Sequence, residues 1–384
     1  AVDADRKPRH HLGLGVRSGK DVKVLGQLEA RIADASRVAF DSLVALAIAQ
    51  RCRFVVLAGD VFDGDLRNYQ TGLFFMDGVR RLGEAGMGVY LVLGNHDAEN
   101  RFAARLELAQ NLHVFAAAHP QTQVVPGLTV SIHGQSFARR DVTTNLALGY
   151  PSPTAGHFNI GVLHTACQGS EGQHAPYAPC SLEQLINHGY DYWALGHVHA
   201  RTVLHAHPHV IYPGNLQGRS CRETGGKGAT VVHVAAGRVE AAEHHDLDQV
   251  RWASPVLDLS GIERRDDLLE AARRSLEAVC HQAQQRAVAL RLTCVGATPL
   301  HAPLLLQRAS FEQDIEALLA TLPSEVWLEK LVLATCEPAA PEQLDPSVAG
   351  RLLAEIDRLA TNAHLSDLLA ACLADIKVKV PDAA

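Results

Sequence analysis

Residues 54–65 read FVVLAGDVFDGD, and this stretch decides how the rest of the chain is interpreted. Four apolar residues, two of them β-branched, run directly into a glycine and then Asp60. Such a run predicts a buried parallel strand that ends in a tight turn and presents carboxylates at its carboxyl end. Because open α/β sheets bind their ligands at that edge, we expect a functional site where this strand ends.

The same pattern occurs three more times along the chain. Residues 89–97 read VYLVLGNHD, residues 160–165 read IGVLHT, and residues 192–199 read YWALGHVH. Each apolar run closes on polar side chains that bind metals or protons, namely Asn95, His96, His164, His197 and His199. We expect these strand ends to converge on one place.

The composition is that of an ordinary soluble globular protein. The 384 residues are 47% hydrophobic and 20% charged, and this length favours two domains over one. No apolar run approaches the roughly 18 residues of a membrane span, and residues 1–11 contain no apolar signal core, so we expect a cytoplasmic protein without membrane contact. The eight cysteines form no CxxC pair, which predicts reduced thiols. The net charge is −7, so nucleic-acid contact would require a local basic patch.

The order of predicted elements divides the chain. Amphipathic helices are predicted over residues 25–50 and 73–85, each before one of the strands. Short strands separated by Pro-Gly and Gly-Gly turns over residues 201–242 predict a meander that forms the second sheet of a sandwich. The pattern then changes, and residues 256–333 predict a compact βαβαβ unit.

A proline-containing linker and two helices are predicted at the end of the chain. Residues 334–347 contain three prolines, and residues 348–376 predict an amphipathic helix pair. We therefore expect three parts: a first domain with an atypical N-terminus over residues 1–250, a small α+β cap or DNA-binding domain over 251–335, and a linker with C-terminal helices over 336–384.

The polar residues at the four strand ends predict a metal site. Carboxylate oxygen, amide oxygen and imidazole form a ligand set suited to manganese, iron or zinc and poor for copper(I). A carboxylate such as Asp60, placed between two ions about 4 Å apart, can bridge them and hold a hydroxide for in-line attack on phosphorus. Each motif alone is better explained by turn chemistry or a hydrogen-bonded histidine than by a metal site. Four motifs in order, each closing an apolar strand, favour the metal site.

The motifs GDVFD, GNHD, GVLHT and GHVH resemble, in the same order, motifs II to V of the calcineurin-like metallophosphoesterases. The chain is similar in particular to the SbcD-type DNA-repair exonucleases and their YhaO-like branch, over about residues 28–255 and more loosely beyond. The stretches that carry this similarity are residues 57–60, 71–75, 177–180, 189–199 and 212–219. The resemblance implies an α/β protein with a four-layer αββα metallophosphoesterase sandwich and a small α+β C-terminal cap domain.

The resemblance also implies the ligands of two divalent metal ions, with Mn²⁺ foremost. Asp60 would bridge the two ions. Asn95, His164 and His197 would complete the second metal site, and His199 would belong to the first.

Two further residues receive catalytic roles from the same resemblance. His96 would approach the phosphate as general acid or transition-state stabiliser, and Asp63 would orient its imidazole. On this interpretation His96 is a catalytic residue and not a metal ligand.

The sequence departs from the family where motif I should lie, because no Asp-x-His occurs upstream of Asp60. His11 stands near the place of the motif's histidine, with Arg9 where the aspartate should be. A guanidinium has no acceptor and cannot bind a cation, which leaves Asp3 or Asp5 as substitutes. Two explanations are open: an evolved change that leaves the first metal site weak or empty, or a sequence lesion such as a wrong start or a shifted reading frame.

The expected function is a metal-dependent DNA phosphodiesterase, both exonuclease and endonuclease, as the resemblance implies. One alternative is a catalytically impaired scaffold that binds DNA or an ATPase. Another is a phosphatase or cyclic-nucleotide phosphodiesterase, since the motifs specify the metals and not the leaving group. The expected partners are DNA, an SbcC-like coiled-coil ATPase that docks on the helices over residues 348–376, and a second copy in a homodimer. Packing of the same helices on their own domain is an equal alternative.

Overall fold

The computed structural model describes residues 19–62, 69–99, 108–167, 177–338 and 350. His11, Asp63 and the predicted helix pair over residues 348–376 lie outside this part of the chain, apart from residue 350. Within the described ranges, none of the helices combines the length and the apolarity that a membrane crossing requires.

The first sheet is parallel and is covered by two long helices. Its elements follow in the order α1 (Gly19–Ala49), β1 (Phe54–Leu57), α2 (Tyr69–Glu84), β2 (Gly88–Leu91) and β3 (Leu112–Val114). β1 pairs with β2 and β2 with β3, all in parallel. Each parallel pairing requires a crossover connection, and α2 supplies the one between β1 and β2.

The second sheet is built from the next part of the chain. Its elements are β4 (Gln121–Val124), β5 (Val130–Gly134), β6 (Phe158–His164), α3 (Leu182–Asn187), β7 (Tyr192–Gly196), β8 (Thr202–Ala206) and β9 (His209–Tyr212). The six strands lie in the order β4-β5-β6-β7-β9-β8. β5, β6, β7 and β9 pair in parallel, while β4 and β8 are antiparallel edges.

Alternating side chains stack the two sheets face to face. On β1, Val55 and Leu57 pack towards α1 and α2, while Phe54 and Val56 pack towards the second sheet. Successive side chains of a strand point to opposite faces, so a strand buried on both faces is apolar throughout. The four apolar residues of β1 therefore contribute to two different cores.

The second sheet is likewise buried on both faces. Tyr192 and Ala194 of β7 face the first sheet, whereas Trp193 and Leu195 face the outer layer, where Leu185 of α3 packs. The layers are thus helix, sheet, sheet and helix. The predicted α/β fold class with a four-layer sandwich is confirmed.

The predicted meander is only partly correct. β8 and β9 join the second sheet, but β10 (Gly228–Ala235) and β11 (Arg238–Asp246) form a separate antiparallel pair. In β9, Val210 and Ile211 are both fully buried, so the strand must lie inside a sheet covered on both faces. It pairs in parallel with β7 and not with β10.

A separate unit with its own parallel sheet follows. Its elements are β12 (Val250–Ala253), β13 (Val256–Asp258), α4 (Arg265–Gln282), β14 (Ala287–Ala297), α5 (His301–Leu306), α6 (Arg308–Leu319) and β15 (Val326–Cys336). β12 and β13 pair with successive halves of β14, and β15 runs along its other edge. The helices cover one face of the sheet. The expected βαβαβ unit is present, with β12 and α5 in addition, while the domain boundaries stay a prediction.

Candidate metal centre

The site lies where the carboxyl ends of the two facing sheets meet. Asp60 follows β1, Asn95 follows β2, His164 ends β6, and His197 follows β7. One ligand atom from each of Asp60, His164 and His197 lies within 4.8 Å of the other two. The rings of His164 and His197 have centroids 5.3 Å apart and cross at 69°. Two strands from each sheet thus deliver polar groups to one position.

His164 is the most deeply enclosed member of this group. Its Nδ1 lies 2.9 Å from the carbonyl oxygen of Ala58, and its Nε2 lies 2.9 Å from Asn95 Oδ1 and 3.4 Å from Asp60 Oδ2. Burial lowers the pKa of His164, although the carboxylate of Asp60 acts in the opposite direction. The neutral ring has one N–H, and the Ala58 carbonyl can only accept it at Nδ1. Its Nε2 lone pair then faces two oxygen atoms.

Lone pairs that converge in a buried place favour a cation between them. Carboxylate and imidazole donors are ligands of divalent metals such as manganese, iron and zinc. The burial of Asp60 would by itself raise its pKa, but His164 and His96 lower it overall, so the carboxylate stays charged. The donor set present therefore fits a divalent cation held by Asp60, Asn95, His164 and His197.

The backbone at this site is strained, and glycines allow the close approach. Asp60 has a φ of 54° and His197 a φ of 100°, both in the region that non-glycine residues rarely occupy. A Cβ on Gly94 would overlap the carboxylate of Asp60, and one on Gly196 would overlap the Ala58 carbonyl. Glycine is therefore needed before Asn95 and before His197, because the strand ends touch at these two positions.

Asp97 is a buried carboxylate for which the sequence predicted no role. It accepts hydrogen bonds from the backbone N–H groups of Val61 at 3.2 Å, Phe62 at 2.9 Å and Gly94 at 3.0 Å. Burial first, and then the charge of Asp60, raise the pKa of Asp97 to about 6. It ties the turn after β1 to the turn after β2. Asp97 is the last residue of the GNHD motif, and this position is the signal for it in the sequence.

His96 lies beside this group. Its backbone N–H donates to Asp60 Oδ1 at 3.0 Å, and the residue lines a cavity of about 860 Å³ that also borders Asp60 and His197. The predicted partner of its imidazole, Asp63, is outside the described residues.

His199 lies on the wall of the same cavity but outside the tight group of Asp60, His164 and His197. Its Nδ1 is 3.0 Å from Oε1 of Glu223, a residue for which the sequence predicted no role. Burial would raise the pKa of Glu223, but His199, Arg219 and Asn215 together lower it to about 2. Glu223 has no strand-end motif, and only the folded chain brings it to His199.

The cavity extends from the polar group into the space between the sheets. β1 borders it on one side and β10 on the other, and each has only one pairing partner among the described strands. Its apolar wall includes Phe54 and Phe158, and its polar end includes Arg219. The cavity next to the site is therefore lined by both apolar and cationic groups.

Comparison with known proteins identifies the family. The family described as "Calcineurin-like phosphoesterase" matches residues 32–201, and that described as "Metallophosphoesterase YhaO, middle domain" matches residues 252–336. The chain is 35% identical over 350 residues to the metallophosphoesterase YhaO of Bacillus subtilis, which covers 88% of this chain and 83% of that protein. The chain therefore belongs to the calcineurin-like metallophosphoesterases, within the YhaO family.

A more distant relative is named for DNA repair. The chain is 27% identical over 186 residues to the "DNA double-strand break repair protein Mre11" of Methanopyrus kandleri, across 42% of this chain and 39% of that protein. The family membership establishes a metallophosphoesterase with a candidate site for divalent metal.

Proposed function

We propose that this chain is a metal-dependent DNA phosphodiesterase with exonuclease and endonuclease activity. The observation that carries the proposal is the group of Asp60, His164 and His197 at the joined strand ends, with Asn95 in contact. The similarity to the DNA repair protein named above supports DNA as the substrate class. Arg219 on the cavity wall adds positive charge suited to phosphate.

Metal and proton chemistry would be divided between neighbouring residues. Asp60, Asn95, His164 and His197 would hold a divalent ion, for which we propose Mn²⁺. Such an ion supplies positive charge that stabilises the transition state of phosphoryl transfer. His96 would donate a proton to the leaving oxygen, and the N–H of its own backbone helps to hold Asp60 in place.

We propose that one ion binds firmly and a second binds weakly or not at all. Four of the predicted ligands cluster, while His199 lies outside the tight group and Arg9 replaces a motif I ligand. Metal analysis of protein dialysed against dilute Mn²⁺ should give nearer one ion than two per chain. A firm value of two would mean that another group completes the first site.

Hydrolysis assays separate this function from its alternatives. Purified chain with Mn²⁺ is given linear duplex DNA with blunt or recessed ends, circular single-stranded DNA, a phosphomonoester and a cyclic nucleotide. EDTA-treated protein and a His164→Asn variant, prepared in parallel, identify contaminating nuclease. Degradation of DNA by the parent chain alone supports the proposal. Preference for the monoester or the cyclic nucleotide contradicts it.

A scaffold function is the second candidate, and the missing Asp-x-His motif favours it. A scaffold would bind DNA without cleaving it under every metal condition. Binding measured by fluorescence anisotropy beside the hydrolysis assay distinguishes the two.

The partner proposals include an SbcC-like coiled-coil ATPase and a homodimer. Leu352, Ile356 and Leu359, then Leu365 and Leu369, follow helical spacing within residues 348–376. Deleting residues 345–384 should abolish co-purification with a candidate ATPase and leave the melting temperature unchanged. A large fall in melting temperature with intact partner binding would mean that these residues pack on their own chain.

We propose the cytoplasm as the compartment, which suits the free cysteines among the described residues.

A further inference from the structure

We propose that Glu223 is a positioning residue for His199, and that it holds the imidazole as the tautomer whose Nε2 lone pair is available to a metal ion. This inference rests on the proposed metal-dependent function. It adds a residue that stands in none of the four strand-end motifs and acts through another side chain.

The contacts of Glu223 specify the direction of its hydrogen bonds. Oε2 accepts from Asn215 Nδ2 at 2.7 Å and from the backbone N–H of Arg219 at 3.1 Å. Oε1 lies 3.0 Å from Nδ1 of His199. An ionised carboxylate can only accept, so Nδ1 of His199 carries the hydrogen and Nε2 carries the lone pair.

The main chain of His199 is held by the same segment. Its carbonyl oxygen accepts from the buried Nζ of Lys227 at 2.9 Å and from the backbone N–H of Asn215 at 3.2 Å. Asn215 also accepts a backbone hydrogen bond from Gly228 at 3.1 Å. Ring and backbone of His199 are therefore both fixed by residues 215–228, which leaves the imidazole little rotational freedom.

His164 uses a related arrangement, and the comparison explains the choice of a carboxylate. The Nδ1 of His164 donates to a neutral carbonyl, that of Ala58, whereas the Nδ1 of His199 donates to a charged carboxylate. A carboxylate orients the ring and also raises the basicity of its other nitrogen. His199 lies outside the tight group of Asp60, His164 and His197, and greater basicity of its Nε2 would favour metal binding at that position.

The test measures the His199 ring directly. Glu223→Gln keeps the size of the side chain and one acceptor oxygen but removes the charge. Glu223→Ala removes the charge and both acceptor oxygens. Glu243→Gln is the matched control, because Glu243 also has a histidine neighbour, His245 at 3.9 Å, but its side chain is 60% exposed. Ring nitrogen NMR of histidine-labelled protein, with His199 assigned by a His199→Asn variant, reports the tautomer. Titration with Mn²⁺ alone reports the concentration that half-broadens the His199 signals.

In the parent chain, Nδ1 of His199 should carry the hydrogen, and Mn²⁺ should broaden the Nε2 signal of His199 more strongly than its Nδ1 signal. Glu223→Ala should mix the tautomers and raise the half-broadening concentration by about 10- to 100-fold, with a smaller rise in Glu223→Gln. The control should match the parent.

If Glu223→Ala does not fold, the Gln variant decides alone. An unchanged tautomer, an unchanged Mn²⁺ concentration, or no broadening of His199 in the parent would overturn the inference. Absent DNA cleavage with these shifts intact would count against the proposed function only.

Discussion

The two parts of this molecule bury different kinds of residue. In the unit formed by β12–β15 and α4–α6, Leu290, Phe311 and Ile315 are fully buried in a single apolar core. At the joined strand ends of the sandwich, the buried residues include Asn95 and His164, and the adjoining backbone is strained. Apolar burial stabilises a fold, whereas buried polar groups on strained backbone cost stability. The contrast indicates that the strand ends are organised for binding and chemistry.

Replacing Asp60 should give the largest effect. Asp60→Asn removes the charge but keeps a side-chain oxygen for the N–H of His96, and asparagine tolerates a positive φ. The protein should therefore fold, while bound metal and hydrolysis fall to background, because Asp60 is the one carboxylate that the described residues contribute to the tight group. Metal analysis after dialysis measures the bound metal, and the hydrolysis assay measures the activity. Circular dichroism is the folding control. Full retention of metal would remove Asp60 from the ligand set.

His96→Ala should separate chemistry from metal binding at the same site. The backbone N–H that donates to Asp60 is retained in the variant, so the carboxylate keeps this contact. Loss of a general acid commonly lowers a rate by about 10² to 10⁴, and we expect a fall of that order. The measurement pairs single-turnover hydrolysis with metal content. A variant that loses its metal would instead identify His96 as a ligand.

Leu290→Ala tests the other half of the comparison. Leu290 is fully buried among the helices of the second unit, and truncation of such a leucine costs about 2 to 5 kcal/mol. Urea unfolding should show this loss, while the metal content stays unchanged because the ligands lie in the sandwich. Loss of metal in the folded variant would mean that the contacts between the units, such as Trp252 Nε1 to the Gly218 carbonyl at 2.9 Å, transmit the change.

The sequence predicted the strand ends well because each strand buried on both faces is a continuous apolar run. It did not predict the separate pairing of β10 and β11, since alternating residues in a hairpin are the same whichever sheet receives them. Asp97 and Glu223 were missed for a related reason. Their partners are 36 and 24 residues away in the chain, as in the contacts of Asp97 with Val61 and of Glu223 with His199. Such contacts follow from tertiary packing, and the sequence signal was the last position of GNHD for Asp97 and no local pattern for Glu223.

Glu270→Gln on α4 should have the smallest effect and sharpens the contrast with Glu223. Glu270 lies 3.7 Å from Arg273 Nε and 3.5 Å from Arg274 NH1, and its side chain is 56% exposed. Water and salt screen such pairs, and helix pairs of this spacing contribute about 0.3 to 0.5 kcal/mol. We expect the free energy of unfolding, measured in urea, to fall by that amount at low salt and to stay unchanged in 1 M salt. Glu223 is mostly buried and accepts three hydrogen bonds, so its replacement should have consequences that salt does not remove. If the free energy of unfolding of Glu270→Gln stays lowered in 1 M salt, the difference between Glu270 and Glu223 does not come from the burial of the carboxylate.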